Sequence, residues 1–221
     1  MYARSDHQLE AQLAGFGAVP FGHGALLPLL ASYRRPNDKI AEWLRQGVLV
    51  PLKRGLYVVG PTWRQASLSL PLVANHLYGP SCVSLDYALS WYGLIPERVH
   101  ELTSVCMRRS RVFDNPLGRF SYTTLPERLF PVGIEQHMDA ENQCFLMAGP
   151  TKALCDKVIL TRNLTATSFA AMQRFLFEDL RLDEAALADM VLDDTVLAHY
   201  VNADYKRRQL ETLAKTLGDV R

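Results

Sequence analysis

The sequence of 221 residues contains only four cysteines, and no two of them form a Cys-x-x-Cys pair. This spacing argues against a zinc ribbon or a thiol-exchange motif, and isolated thiols are typical of a reducing compartment. Long apolar runs are also missing: the longest, residues 24–33, is far shorter than the roughly 20 residues that cross a bilayer. Residues 1–7 lack the apolar segment of a signal peptide. We therefore expect a cytoplasmic protein without a membrane partner.

Enzyme motifs are missing as well. The sequence has no GxxxxGK(S/T) phosphate loop, no GxSxG nucleophile elbow and no HExxH zinc motif, and its six histidines never stand at metal-ligand spacing. The adjacent acidic residues at 178–179 and 193–194 would point about 100° apart on a helix, which is typical of solvated or capping positions. These absences predict a protein that is not an enzyme and that needs neither a metal nor a cofactor.

Charge is nearly balanced, with 24 Lys and Arg against 23 Asp and Glu, but it is not evenly spread. Residues 1–64 carry 8 basic and 4 acidic side chains, whereas residues 162–221 carry 8 basic and 10 acidic ones. A basic N-terminal part on a protein of net charge +1 is compatible with nucleic acid as its partner.

Residues 1–62 contain helix patterns followed by a hairpin pattern. Helices are expected at residues 7–16, 24–33 and 36–46. Residues 48–59 then form two short β-rich runs around Lys53, Arg54 and Gly55, where glycine allows the positive φ of a tight turn. This order of helix, helix and basic hairpin predicts a winged helix-turn-helix.

The third predicted helix has the features of a recognition helix. Pro36 opens it, Gly47 ends it, and Ile40, Trp43 and Leu44 are spaced to form one apolar face on a core. In a winged helix-turn-helix the opposite face of this helix enters the major groove of DNA, and the hairpin meets phosphate or the minor groove.

Six basic and two acidic side chains lie between Arg34 and Arg54, at both ends of this helix and at the hairpin tip. Arg34 and Arg35 are expected to clamp the DNA backbone, and Lys53 and Arg54 are expected to anchor the wing. The helix residues of the expected DNA-binding set are Lys39, Glu42 and Arg45, as candidates to reach base edges or adjacent phosphates, together with Asn37 and Gln46.

A second basic cluster, formed by Arg108, Arg109 and Arg111, lies at the end of a predicted strand. Three arginines within four residues can bind phosphate or an acidic partner. They can equally form the solvated end of a hairpin. The sequence leaves both interpretations open.

The remainder of the chain predicts a mixed domain, helical over residues 65–93 and again from residue 150 onward. Four segments with a period of two residues predict strands of a mostly antiparallel sheet at residues 102–107, 118–125, 132–138 and 142–148. The expected fold class is α+β. It has a winged helix-turn-helix at residues 1–62 and a mixed domain at residues 63–221, with an antiparallel sheet and a helical C-terminal part.

Three segments resemble one known family. They read RQGVLVPLKRGLY at residues 45–57, HLYGPSCVSLDYALSWYGLIP at residues 76–96 and AGPTKALCD at residues 148–156. In these segments the chain is similar to the AbiEi-type antitoxins of bacterial type IV toxin–antitoxin systems. Many relatives carry an acidic residue before the lysine of the third segment, where this chain has Thr151. Any role of that acidic residue is therefore not carried over.

The resemblance implies a non-enzymatic winged-helix repressor that binds the double-stranded DNA of its own operator. It also implies a C-terminal domain that counters a separately encoded nucleotidyltransferase-like toxin, often without a stable complex between the two. Two alternatives stay open. A stand-alone winged-helix regulator, whose second domain senses a ligand or dimerises, would lack a neighbouring toxin gene. A metal-dependent nuclease, with acidic residues scattered over the C-terminal domain, would cleave nucleic acid when purified.

Overall fold

The computed structural model describes residue 9 and residues 11–220. These residues form a mixed α+β fold with two sheets. The first predicted helix, residues 7–16, lies partly outside the described residues, and residues 9 and 11–14 within it are helical. None of the described helices is long and apolar enough to span a membrane.

Beyond the helical residues 9 and 11–14, the N-terminal part builds a three-stranded antiparallel sheet and two further helices. Its elements are β1 (Phe21–Gly22), α1 (His23–Leu26), α2 (Pro36–Arg45), β2 (Leu49–Lys53) and β3 (Leu56–Val59). The strand order is β1-β3-β2, so that β1 and β2 both pair with β3. The predicted hairpin is confirmed, and Gly55 in its turn has a φ of +77°.

Two of the three N-terminal helix predictions can be compared directly with the structure. The helix at 36–46 is confirmed as α2, with Pro36 at its first position and Gly47 just beyond it at a φ of +71°. The helix at 24–33 is wrong beyond Leu26, because turns replace it up to residue 32. Pro28 has no N–H to donate to the carbonyl of Gly24, so the α-helical bond pattern cannot continue there.

The second sheet has six strands. In chain order they are β4 (Ser81–Val83), β5 (Leu102–Cys106), β6 (Arg111–Asn115), β7 (Gly118–Thr124), β8 (Ile134–Met138) and β9 (Cys144–Ala148). Their order in the sheet is β6-β7-β5-β4-β9-β8. Pairs β5–β7 and β4–β9 are parallel and the other three neighbouring pairs are antiparallel.

This mixed sheet corrects the expected antiparallel one. Strand β6 occupies the segment that was predicted to connect β5 with β7, and it forms a hairpin with β7 that returns β7 parallel to β5. Strand β4 lies inside the stretch that was predicted to be helical. Its three residues are all buried, so no alternation of apolar and polar side chains marked it as a strand.

The remaining elements are helices. They are α3 (Leu70–Leu77), α4 (Leu85–Trp91), α5 (Pro150–Leu160), α6 (Phe169–Gln173) with its π-helical continuation Arg174–Asp179, α7 (Glu184–Ala188), α8 (Asp194–Asn202) and α9 (Arg207–Val220). Helix α3 packs against β4, β5 and β9, whereas α4 packs against β5 and α5. Helices α5 to α9 confirm the predicted helical C-terminal part.

The described residues form two hydrophobic cores, and the β2–β3 hairpin contributes to both. Tyr57 and Val59 belong to the smaller core around α2, whereas Leu52 and Val58 belong to the larger core of the second sheet. Neighbouring residues of a strand point to opposite faces, so the hairpin is buried on both sides. It therefore packs against both parts of the chain, just before the expected boundary near residue 62.

Trp43 tests this packing, because its side chain is 5% exposed in the smaller core. We expect Trp43→Ala to lower the free energy of unfolding by about 3–5 kcal/mol, as truncation of a large buried aromatic residue does. Trp91, which is 45% exposed, is the matched control, and Trp91→Ala should cost much less. Equal melting temperatures for wild type and Trp43→Ala would contradict the packing of α2.

Candidate nucleic-acid interface

Helix α2 is oriented by its apolar face. Ile40 and Trp43 are buried in the smaller core. On the opposite side Asn37, Ala41 and Arg45 are exposed and are spaced by four residues, so they form one stripe along the helix. Asp38, whose side chain is 70% exposed, lies beside this stripe, so a large ligand can reach both.

Lys39 and Glu42 lie beside this stripe and bind each other. The Lys39 Nζ donates to Glu42 Oε1 at 3.0 Å and lies 5.9 Å from the centre of the Trp43 ring. The Gln46 amide donates to the same carboxylate oxygen at 3.1 Å. The hydrogen bond from Lys39 lowers the pKa of Glu42. Together with Trp63 these residues line a small cavity, so the Lys39 and Glu42 side chains are less free than the sequence led us to expect.

The hairpin turn contacts the start of α1, and the start of α1 contacts the start of α2. The His23 N–H donates to the carbonyl of Gly55 at 2.8 Å, and the His23 ring nitrogen Nε2 is 2.9 Å from the side-chain oxygen of Asn37. Arg54 in the turn is exposed. The two expected backbone clamps, Arg34 and Arg35, precede α2 and are exposed, and Arg35 lies 3.6 Å from the Asp38 carboxylate.

Lys53 is exposed, as the sequence predicts, but its ammonium group reaches back from the turn to the larger part of the chain. Its Nζ donates to the carbonyl of Leu77 at the end of α3, and it lies 5.9 Å from the centre of the Phe113 ring. Desolvation lowers the pKa of Lys53, and the nearby positive charges of Arg111 and Arg108 lower it further. The hairpin is thus attached to the second sheet by one of its own cations.

The arginine cluster on the second sheet stacks on aromatic rings. The Arg111 guanidinium lies 4.7 Å from the centre of the Phe113 ring, and that of Arg108 lies 5.8 Å from the centre of the Tyr78 ring. The Tyr78 hydroxyl donates to the carbonyl of Arg109 at 3.1 Å. A guanidinium group over an aromatic face is attracted to the ring while its N–H donors stay available.

The two basic groups found in the sequence therefore meet at the hairpin. We call the residues Lys53, Arg54, Arg108, Arg109 and Arg111 the composite basic surface. None of the five forms an ion pair with a carboxylate of the described residues. Asn37 contacts His23, and His23 contacts the hairpin turn. Lys53 of the hairpin lies near the arginine cluster, so these contacts connect the composite basic surface to the start of α2.

A second polar cluster lies in the interior and was missed from the sequence. Lys152 and Asp156, one turn apart on α5, are fully buried, with 3.3 Å between Nζ and Oδ2. The Tyr200 hydroxyl donates to Asp156 at 2.5 Å and the Ser84 hydroxyl donates at 2.7 Å, while Lys152 also donates to Tyr200 and to the carbonyl of Leu129. We call Ser84, Lys152, Asp156 and Tyr200 the buried network.

Two of the segments that carry the family resemblance supply residues of the buried network. Residues 76–96 supply Ser84, and residues 148–156 supply Lys152 and Asp156. The pKa of Asp156 is raised, because the effect of burial is larger than the opposing effects of the Lys152 ammonium and the two hydroxyl donors. All of these side chains are closed off from solvent, so they join the sheet to α5 and α8 instead of meeting a ligand.

Thr151 occupies the position where many relatives have an acidic residue. Its hydroxyl accepts the N–H of Asp193 at 2.8 Å, and Asp193 in turn caps the first turn of α8. The threonine therefore joins the start of α5 to the start of α8.

Neither a scan against protein-family models nor a search of curated proteins finds a match to this chain. Among residue 9 and residues 11–220, no three His, Cys, Asp or Glu side chains lie close enough to hold a metal ion together.

Two lysines on α5 test the buried network. Lys152→Met leaves Asp156 without a cation in the interior, so we expect the free energy of unfolding to fall by about 3–5 kcal/mol. Lys157, on the same helix, pairs with Asp86, whose side chain is 40% exposed, so water can hydrate that carboxylate in Lys157→Met and this variant should cost less than Lys152→Met. Denaturant unfolding of both variants makes the comparison, and equal losses of stability would contradict the buried ion pair.

Proposed function

We propose that the chain is a DNA-binding transcriptional repressor that serves as the antitoxin of a type IV toxin–antitoxin system. It binds double-stranded operator DNA through a winged helix-turn-helix at its N-terminus and is not an enzyme. The DNA-binding part of the proposal rests on the composite basic surface. The antitoxin part rests on the resemblance of residues 45–57, 76–96 and 148–156 to AbiEi-type antitoxins.

One observation carries the DNA-binding proposal: cations from two distant parts of the sequence gather, and none of them pairs with a carboxylate of residue 9 or residues 11–220. Lys53 comes from the hairpin and Arg108 and Arg111 come from the second sheet, yet they lie close enough for their charges to lower the pKa of Lys53. Gathering like charges costs folding stability, and a polyanion that neutralises them offsets this cost on binding. Exposed arginines that are pre-ordered by stacking are suited to phosphate.

The exposed stripe of α2 supplies the base contacts in this proposal. Asn37 and Arg45 carry side chains that read bases in the major groove, and Ala41 between them allows close approach. Arg34 and Arg35 contact the DNA backbone at the start of the helix. Lys39 and Glu42 bind each other beside the stripe, and the Gln46 amide donates to the same Glu42 carboxylate.

The hairpin in this proposal works as a wing that is fixed to the second sheet. Its two faces are buried in different cores, so the turn keeps one position relative to α2 and to β6. Arg54 contacts phosphates next to the major groove, and the arginine cluster contacts the DNA backbone beyond them. The footprint of the chain on DNA is therefore longer than that of a winged helix alone.

The salt dependence of DNA binding by the full chain tests the composite basic surface. We expect Arg54→Ala and Arg111→Ala each to reduce the slope of log K against log[salt] by about 1, because each removes one phosphate contact. Arg174→Ala is the control, since Arg174 is exposed on the C-terminal helices and pairs with Glu178. A slope that Arg111→Ala leaves unchanged would show that DNA does not reach the second sheet.

The antitoxin role is tested by separating it from DNA binding. The double variant Arg54→Ala/Arg111→Ala changes two exposed side chains, so each change should alter stability by no more than about 0.5 kcal/mol. We expect this variant to lose repression of its operator and yet to protect cells when it and the toxin encoded beside it are expressed from unrelated promoters. Cell death with folded variant at the wild-type level would contradict the separation, and the absence of a neighbouring toxin gene would favour the stand-alone regulator.

A further inference from the structure

The two edges of the six-stranded sheet differ. At one edge, β6 is covered by the hairpin: the Asn115 side-chain amide donates to the carbonyl of Leu52, and β2 packs against β6. At the other edge, β8 pairs with β9 alone. The sequence of β8, Ile-Glu-Gln-His-Met, has no proline and no lysine, and it pairs with β9 in unbroken register. It therefore lacks proline, lysine and a bulge, three of the features that keep edge strands from pairing with another chain.

The hydrogen bonds around β9 show which backbone groups of β8 point outward. Gly149 N–H donates to the carbonyl of Gly133, and Asp139 N–H donates to that of Gln143, so these two flanking pairs bond across the hairpin. Antiparallel pairs alternate between bonded and non-bonded positions. Residues 135 and 137 are therefore bonded to β9, whereas Ile134, Gln136 and Met138 direct their N–H and C=O groups away from it.

Asn75 supports this assignment independently. Its side chain accepts the N–H of Leu146 at 2.7 Å and donates to the carbonyl of Leu146 at 3.1 Å. Leu146 stands opposite Gln136 in the ladder, and both of its backbone groups are thus occupied on the side away from β8. Among the described residues, none hydrogen-bonds the outward backbone groups of Ile134, Gln136 or Met138.

We propose that β8 pairs antiparallel with the β8 strand of a second copy of this chain, with Gln136 on the two-fold axis. The three outward residues are symmetric about Gln136, so Gln136 faces Gln136 of the other copy and Ile134 faces Met138. Each facing pair exchanges both of its N–H···O bonds, which gives about six backbone hydrogen bonds. The two sheets then join into one.

The side chains of β8 are also complementary to themselves in this register. Glu135 faces His137 of the other copy at a non-bonded position, where side chains are closest. The His137 Nε2 lies 3.0 Å from the Tyr92 hydroxyl and 3.3 Å from Glu135 Oε2 of the same copy, so Nδ1 is the ring nitrogen that meets the Glu135 carboxylate of the other copy. Met138, 64% exposed, becomes covered beside Ile134. An unrelated strand would not offer this match at each position, so the occupant is a second copy.

A proline at position 136 removes one outward N–H and leaves the bonds to β9 intact. Edge strands accept proline at such a position, and Glu135 before it is already extended. We expect Gln136→Pro to weaken dimerisation by about tenfold or more, because each copy loses a donor at the axis. Gln136→Ala is the matched control, since it keeps the N–H and should still dimerise. Sedimentation of the full-length chain over a range of concentrations measures both.

Three results of the sedimentation measurements would overturn the proposal. The wild-type chain could remain monomeric at every concentration, as it would if β8 took a strand from a different protein. A dimer could persist undiminished in Gln136→Pro, or it could be lost equally in folded Gln136→Ala.

Amide hydrogen exchange on the wild type gives an answer that needs no variant. We expect the amides of Gln136 and Met138 to slow as protein concentration rises, while those of Glu135 and His137 are slow throughout; amides at 136 and 138 that exchange fast at all concentrations would exclude the pairing.

Discussion

The β2–β3 hairpin is the constraint on which the arrangement of this protein depends. It buries Leu52 and Val58 in one core and Tyr57 and Val59 in the other, so it cannot leave either without exposing apolar side chains. Lys53 adds a hydrogen bond to the carbonyl of Leu77 and places its charge beside Arg108 and Arg111. A hairpin fixed on both faces presents its turn at one defined place, where His23 connects it to the start of α2. The proposed contacts with DNA follow from that position.

The interior of the larger part depends on a different interaction. The Lys152–Asp156 pair is satisfied by hydroxyl groups from β4–α4 and from α8, so three regions of the chain must come together to complete it. Such a pair adds little stability compared with a well-packed apolar group, but losing one partner is costly. The network therefore favours one arrangement of α5, α8 and the sheet.

Much of the fold could be predicted from residue patterns. Pro36 and Gly47 marked the ends of α2, Gly55 marked the hairpin turn, and period-two segments marked β5, β7, β8 and β9. The strands that were missed lacked such a pattern: β4 is short and buried throughout, and β6 has mostly exposed side chains. Parallel pairing was also missed, because it depends on where the β6–β7 hairpin inserts, and no local signal specifies that.

The candidate site could be predicted only in part. The sequence indicated the two basic clusters, but 54 residues separate Arg54 from Arg108, and nothing local indicated that they meet. Whether a lysine projects from a turn or reaches back to a carbonyl is likewise decided by tertiary packing, as Lys53 illustrates. The buried network was missed because a lysine and an aspartate four residues apart on a helix are usually a solvated pair.

Amide hydrogen exchange of the full chain, with and without double-stranded operator DNA, tests the central claim most directly. If the hairpin joins α2 and the arginine cluster into one DNA-binding surface, DNA should slow exchange at residues 34–45, 53–55 and 107–111 together, and should leave α9 unchanged. Protection that stops at residue 55, with residues 107–111 exchanging as in the free protein, would contradict a surface that extends onto the second sheet.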